Sequence, residues 1–135
     1  MNAKDMHSTN GKRSVLIVDD DLHFRETLED ALLLKKLEAY SVKSGTEALK
    51  KLTQVTPSLI LLDVQLPDIH GFELCRLLKR SERLRNVPVV FISAKFTEPA
   101  DRAEGLLAGA DAYLSKPVSL DALWEEVNYL LDKSQ

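Results

Sequence analysis

The sequence predicts an α/β fold of the doubly wound class, five parallel strands alternating with five helices in a single domain. Three observations point there. Four short apolar runs, VLIV at 15–18, LILL at 59–62, VVFI at 89–92 and AYL at 112–114, lack polar alternation, as expected of strands covered on both faces. Segments with helical apolar spacing separate them. At 135 residues, 44% hydrophobic and 29% charged, the chain has the size and composition of one ordinary domain with its own core.

The elements follow in order. Residues 1–13 (MNAKDMHSTNGKR) are polar and aperiodic and read as a flexible N-terminal tail. The first strand is about 14–18. The first helix covers about 21–36, capped by Asp20 or Asp21, with Phe24, Leu28, Ala31, Leu32 and Leu34 as its apolar set. The second strand is about 38–43. Ser44 opens the second helix, and Glu47 three residues on completes a capping-box pattern. The third strand is 58–62. The third helix spans about 71–81, with Phe72, Leu74, Cys75, Leu77 and Leu78 as its apolar residues. Pro88 opens the fourth strand, 88–92. The fourth helix starts at Glu98-Pro99, where proline suits the first turn, and ends before Gly109. The fifth strand is about 112–115. Ser119 caps the fifth helix, whose stripe is Leu120, Leu123, Trp124, Val127, Leu130 and Leu131. The domain is thus expected over 14–132, with a short C-terminal tail at 133–135. Right-handed crossovers make it a flavodoxin-like (βα)5 sheet.

Charge and composition remove several function classes. Eighteen basic against 21 acidic residues give a net charge of −3 and argue against direct nucleic-acid binding, which requires a basic face. No apolar run approaches the roughly 20 residues that span a bilayer, and no secretory leader is evident. The single cysteine, Cys75, sits in a helical pattern and reads as a packed thiol rather than a nucleophile. Together these imply a cytoplasmic protein without membrane partners.

In a parallel sheet the C-terminal ends of the strands share one edge, where ligands bind. Here that edge carries chemistry. Asp19, Asp20 and Asp21 follow the first strand. One of them serves as a helix cap, but capping does not require three adjacent carboxylates, and a hard divalent cation would neutralise the excess. Asp63 follows the third strand directly. An aspartate there serves plainly as a turn residue, yet it is also a phosphoryl nucleophile when its charge is offset. Ser93 ends the fourth strand and would place a hydroxyl on the same edge. Lys116 follows the fifth strand, where a lysine has no structural task, and Pro117 keeps it out of helical geometry and permits a cis bond. Asp19, Asp20 and Asp63 sum to −3, and a dication with Lys116 sums to +3, so the set is neutral before a phosphoryl group arrives. Tyr113, three residues before Lys116, points to the opposite face of its strand, where packing is the plain role and sensing the site the functional one.

VLIVDD at 15–20, LLDVQLPDIHG at 61–71, FISA at 91–94 and GADAYLSKP at 109–117 together resemble the receiver domain of two-component response regulators, over residues 14–132. The resemblance implies the strand order 2-1-3-4-5. It implies that Asp63 is the phosphoacceptor, charged by a histidine kinase or phosphotransfer protein. Asp19, Asp20, Asp63 and the backbone carbonyl of Gln65 would hold Mg²⁺ or Mn²⁺, and Ser93 and Lys116 would contact the phosphoryl group. Tyr113 would be the switch aromatic, turning inward as Ser93 moves toward the phosphate. The face formed by the fourth helix, fifth strand and fifth helix would signal to a downstream protein or effector domain, or form a homodimer. Three departures from the family pattern stand out: no glycine joins the first helix to the second strand (KKLEAYSV), Val118 replaces a common phenylalanine, and Gln65 and Lys95 occupy positions that tune hydrolysis.

Two other functions fit parts of the sequence. Asp19-Asp20-Asp21 contains the Asp-x-Asp of aspartate-nucleophile phosphohydrolases, with Asp19 and Asp21 as the working pair, but His23 and the lack of a second acidic pair weigh against it. A flavin carrier would need a phosphate loop where three aspartates stand. The preferred expectation is a phosphorylation-controlled switch, not an enzyme, that catalyses only its own phosphorylation and dephosphorylation. The chain stops at Gln135, which leaves no room for an output domain as it stands, and a stand-alone regulator and an excised domain both fit.

Overall fold

A computed structural model of the chain describes residues 13–133. Most of the predicted N-terminal tail, and residues 134–135, lie outside the described residues. Within them, five strands and five helices alternate: β1 (Ser14–Val18), α1 (Leu22–Leu34), β2 (Glu38–Val42), α2 (Gly45–Leu52), β3 (Leu59–Leu62), α3 (Gly71–Arg80), β4 (Val89–Ser93), α4 (Pro99–Leu107), β5 (Ala112–Ser115) and α5 (Leu120–Lys133). The sheet order is β2-β1-β3-β4-β5, with all neighbours parallel.

Alternation along the strands splits the core in two. Leu16, Val18, Ile60, Leu62, Val89, Phe91 and Tyr113 face α2, α3 and α4. Val15, Ile17, Leu59, Leu61, Val90 and Ile92 face α1 and α5. Every residue of β1, β3 and β4 is buried. Each fully buried aliphatic or phenylalanine side chain contributes about 1.5–3 kcal/mol relative to an exposed one, so these strands anchor the fold.

Local chemistry explains where the helices begin. Asp21 caps α1 by accepting the Phe24 N–H at 3.2 Å. Ser44 caps α2 through the Glu47 N–H at 3.1 Å, but Glu47 turns back to the Lys43 N–H rather than to that of Ser44, so the expected capping box is only half formed. At α4, Glu98 and Asp101 form a complete box, with Pro99 in the first turn. Ser119 caps α5 by accepting the Ala122 N–H at 3.0 Å.

Three residues of the expected apolar sets lie outside, Leu77 of α3 among them at 37% exposed. Leu34 is 84% exposed, because six residues beyond Leu28 a helix has turned well off the Leu28–Leu32 stripe. Leu120 is half exposed, since the face of α5 that meets the sheet is set by Leu123, Val127, Leu130 and Leu131. Between α1 and β2, Lys36 adopts φ +62°, the left-handed conformation for which glycine is usual. The missing glycine of that turn is therefore met by strain in a lysine. Gly109, at φ +112°, supplies the same freedom after α4 at no steric cost.

Candidate phosphoryl-acceptor site

Register carries the polar residues to one edge. Val18 pairs with both Val42 and Leu62, Leu62 with Phe91, and Ser93 with Ser115. The ladder continues past the strands: the Asp19 N–H donates to the Val42 carbonyl (3.1 Å), the Asp63 N–H to that of Val18 (2.9 Å) and the Lys116 N–H to that of Ser93 (2.8 Å). Backbone pairing thus fixes Asp19, Asp63 and Lys116 before their side chains interact. The connections leave β1 toward opposite edges of the sheet, so the crevice between the ends of β1 and β3 is the topological switch point.

One carboxylate oxygen from each of Asp19, Asp20 and Asp63 lies within 4.8 Å of the others. Asp19 is buried. Its Oδ1 accepts the Asp21 N–H at 2.9 Å and its Oδ2 accepts Lys116 Nζ at 2.8 Å. Asp63 is also buried; its Oδ1 accepts the Gln65 N–H at 3.1 Å, and Lys116 Nζ stands 3.6 Å from its Oδ2. Burial, and then the Asp19 charge, push the Asp63 carboxyl up to about 6, against the opposing Gln65 N–H and Lys116 ammonium. Asp20 is exposed at the mouth. Crowded carboxylates with one ammonium remain short of positive charge, and an all-oxygen donor set of this kind suits a hard cation that completes its shell with water. The Lys116–Pro117 bond is cis.

The cleft above these residues holds about 290 Å³ and is lined by Asp20, Asp63, Gln65, Leu66, Pro67, Ser93, Ala94 and Lys95. Its floor is tightly built. The Gly71 N–H donates to the Val64 carbonyl at 2.6 Å, and a Cβ at Gly71 would stand 2.6 Å from the Asp63 carbonyl oxygen. Asp68 ties the same loop to α2 by accepting the Gly45 and Thr46 N–H groups and the Thr46 hydroxyl, which hold its carboxyl down to about 2.

Ser93 and Tyr113 are both committed elsewhere. The Ser93 hydroxyl donates to the Lys95 carbonyl and accepts the Lys95 N–H, so it closes the β4–α4 turn at the wall of the cleft it shares with Asp63. Tyr113, expected to turn inward on phosphorylation, already lies inward. It packs on Phe91 and Phe72, its hydroxyl donates to the Phe96 carbonyl, and Gly105 leaves its ring room, since a Cβ there would approach to 2.8 Å. Burial pushes its phenol up to about 12.

The family of receiver domains of response regulators matches residues 15–128. The chain belongs to this family. Among relatives, the transcriptional regulatory protein GltR of Pseudomonas aeruginosa is 42% identical over 128 residues, 95% of this chain; the chain spans only 52% of that relative's length. The polar-differentiation response regulator DivK of Brucella ovis is 36% identical over 121 residues, covering 89% of this chain and 98% of the relative. Among solved structures, a Francisella response regulator receiver domain superposes with a TM-score of 0.85 at 28% identity, over 92% of this chain and all of that one.

The receiver's geometry gives the hydrolase reading no support. Asp21, the second member of the Asp-x-Asp pair, has its carboxylate on the α1 cap and takes no place in the acidic cluster. Other residues of the site went unnoticed in the sequence. The Phe24 ring lies against the Lys116 ammonium, Arg25 donates to the Asp19 carbonyl at 2.8 Å, and His70 caps α3 by accepting the Phe72 N–H on Nδ1. Phe24 carried a signal only as an apolar residue of helical period, which cannot distinguish a core ring from one beside a charge. Among the described residues, no helix is long and apolar enough to cross a membrane.

Proposed function

We propose that this receiver accepts a phosphoryl group on Asp63 from a histidine kinase or phosphotransfer protein. What supports the reading most is one convergence: three carboxylates and one ammonium, from the ends of β1, β3 and β5, meet at the switch point of the sheet. An Asp63 oxygen would attack phosphorus in line, forming an acyl phosphate as the bond from phosphorus to the donor's nitrogen or oxygen breaks. Burial leaves this carboxylate poorly solvated and thus a readier nucleophile. Asp19, Asp20, Asp63 and the Gln65 carbonyl would hold Mg²⁺ or Mn²⁺. Such a cation, when bound, lowers the charge repulsion between carboxylates and phosphate and stabilises the charge of the transferring group. Lys116 would leave Asp63 for a phosphoryl oxygen, and Ser93 would rotate from Lys95 to another.

That rotation gives the readout. Ser93 and Phe96 bracket one turn, and Tyr113 is hydrogen-bonded to it, so freeing Ser93 shifts the populations of the β4–α4 turn and of Tyr113. The surface of α4, β5 and α5 changes with them, and Leu106 and Leu107 of α4 are exposed there for a downstream protein, an effector domain or a second copy. At net charge −3 the receiver itself speaks to protein rather than nucleic acid, in the cytoplasm. Its chemistry is limited to its own phosphorylation and dephosphorylation, and the roles assigned to Asp63, Lys116, Ser93 and Tyr113 fit one domain over 14–132.

Acetyl phosphate with Mg²⁺ tests this directly. Intact-mass measurement should show one added phosphoryl group, absent in Asp63→Asn and absent with chelator. An unchanged mass at saturating donor sinks the proposal.

A further inference from the structure

We propose that Phe24 is a positioning residue for phosphoryl transfer, the face of its ring seating the Lys116 ammonium in the cleft. The inference rests on Asp63 as acceptor. Lys116 Nζ lies 4.1 Å from the centre of the Phe24 ring, 2.8 Å from Asp19 Oδ2 and 3.6 Å from Asp63 Oδ2. A cation within about 6 Å of a ring face is drawn by the ring quadrupole, and more strongly when water is excluded. The Lys116 side chain is only 17% exposed, so the attraction is weakly screened.

The ionic partners of Lys116 are contested. Asp19 and Asp63 are the same carboxylates that a divalent cation would draw on, and Asp63 loses its charge once it carries a phosphoryl group. The ring is a ligand for neither. Its hold on the ammonium therefore persists while Lys116 exchanges carboxylate oxygen for phosphoryl oxygen. The first turn of α1 sets this geometry: the Phe24 N–H is fixed on Asp21 Oδ1, and Arg25 beside it grips the Asp19 carbonyl. One helical turn thus holds both members of the Lys116–Asp19 pair. A leucine at position 24 would serve the core packing that Phe24 shares with the α1–α5 cluster, but it lacks the quadrupole.

Ring fluorination separates the two roles, because it drains negative charge from the ring face at nearly constant shape. With one, three and five fluorines at position 24, phosphoryl uptake from acetyl phosphate and Mg²⁺ should slow in steps. The fully fluorinated ring and Phe24→Leu should lose about three- to tenfold, and Phe24→Tyr should stay near the parent. In a Lys116→Met background the same series should be flat. A flat series in the parent background, or equal slopes in both, overturns the proposal. Proton NMR of the metal-free protein reads the contact without chemistry: the ring current of Phe24 should shift the Lys116 Hε resonances upfield, and Phe24→Leu should abolish the shift. Unshifted Hε resonances overturn the proposal even if uptake is normal. A shifted Lys116 in a parent protein that takes no phosphoryl group refutes the acceptor reading, and with it the role of Phe24.

Discussion

Changing the Asp63 carboxylate to an amide should stabilise the metal-free protein. In the native state Asp63 is buried beside Asp19, and its carboxyl is raised from an ordinary 3.8 to about 6. Asparagine keeps the shape and can still accept the Gln65 N–H. At about 1.4 kcal/mol for each tenfold change in proton affinity, holding Asp63 ionised at neutral pH costs roughly 3 kcal/mol of stability. For a domain of this size that corresponds to a rise of roughly 10 °C in Tm. The pH dependence follows from the sign of the shift. Because the native state holds the proton more tightly than the unfolded state, stability falls as pH climbs from about 3.8 to about 6, and the full penalty stands above that. Urea unfolding of parent and Asp63→Asn in chelator, at pH 7.5 and pH 3.5, measures it. The variant should lead by about 2–3 kcal/mol at pH 7.5 and by little at pH 3.5, and added Mg²⁺ should narrow the gap by stabilising the parent. A variant no more stable than the parent at pH 7.5, or an advantage undiminished at pH 3.5, would refute the view that the acceptor is held in a costly charged state.

Two further outcomes follow from other contacts. Lys36→Gly should raise stability by about 0.5–1 kcal/mol, since removing Cβ relieves a left-handed conformation that costs about 1–2 kcal/mol and only part of the gain is lost to unfolded-state entropy; chemical denaturation at neutral pH reads it, and a loss of stability counts against strain at that turn. Asp68 carries the opposite sign to Asp63: its carboxyl is held down to about 2 by the Thr46 hydroxyl and the Thr46 and Gly45 N–H groups, so its contribution is present above about 4 and disappears as pH falls toward 2. Asp68→Ala should therefore be less stable than the parent at pH 6 and should lack that part of the parent's acid loss; parallel acid limbs in the two proteins would show that the latch contributes nothing.

Much of the site was legible because its residues are sequence neighbours of strand ends. Asp19, Asp63, Ser93 and Lys116 each sit within two residues of an apolar run, and the parallel ladder does the rest. Legibility failed where three-dimensional packing chose among equivalent residues. Leu34 and Leu32 are indistinguishable by type, and only the rotation of α1 against the sheet exposes one and buries the other. Glu47 had the right spacing for a capping box, but the Lys43 N–H offered a competing donor. The inward Tyr113 depends on Gly105, eight residues away on another element.

From its order of residues alone, this protein determined its strands, the edge they share and the charged groups brought there, because period, burial and turn chemistry are local properties of a chain. Which ring lies against the Lys116 ammonium was settled only by the tertiary structure. So were the commitment of Ser93 to its own turn and the raised proton affinity of Asp63. Those outcomes depend on distances between groups remote in sequence, such as Lys116 and Asp19, and on the water excluded when they meet.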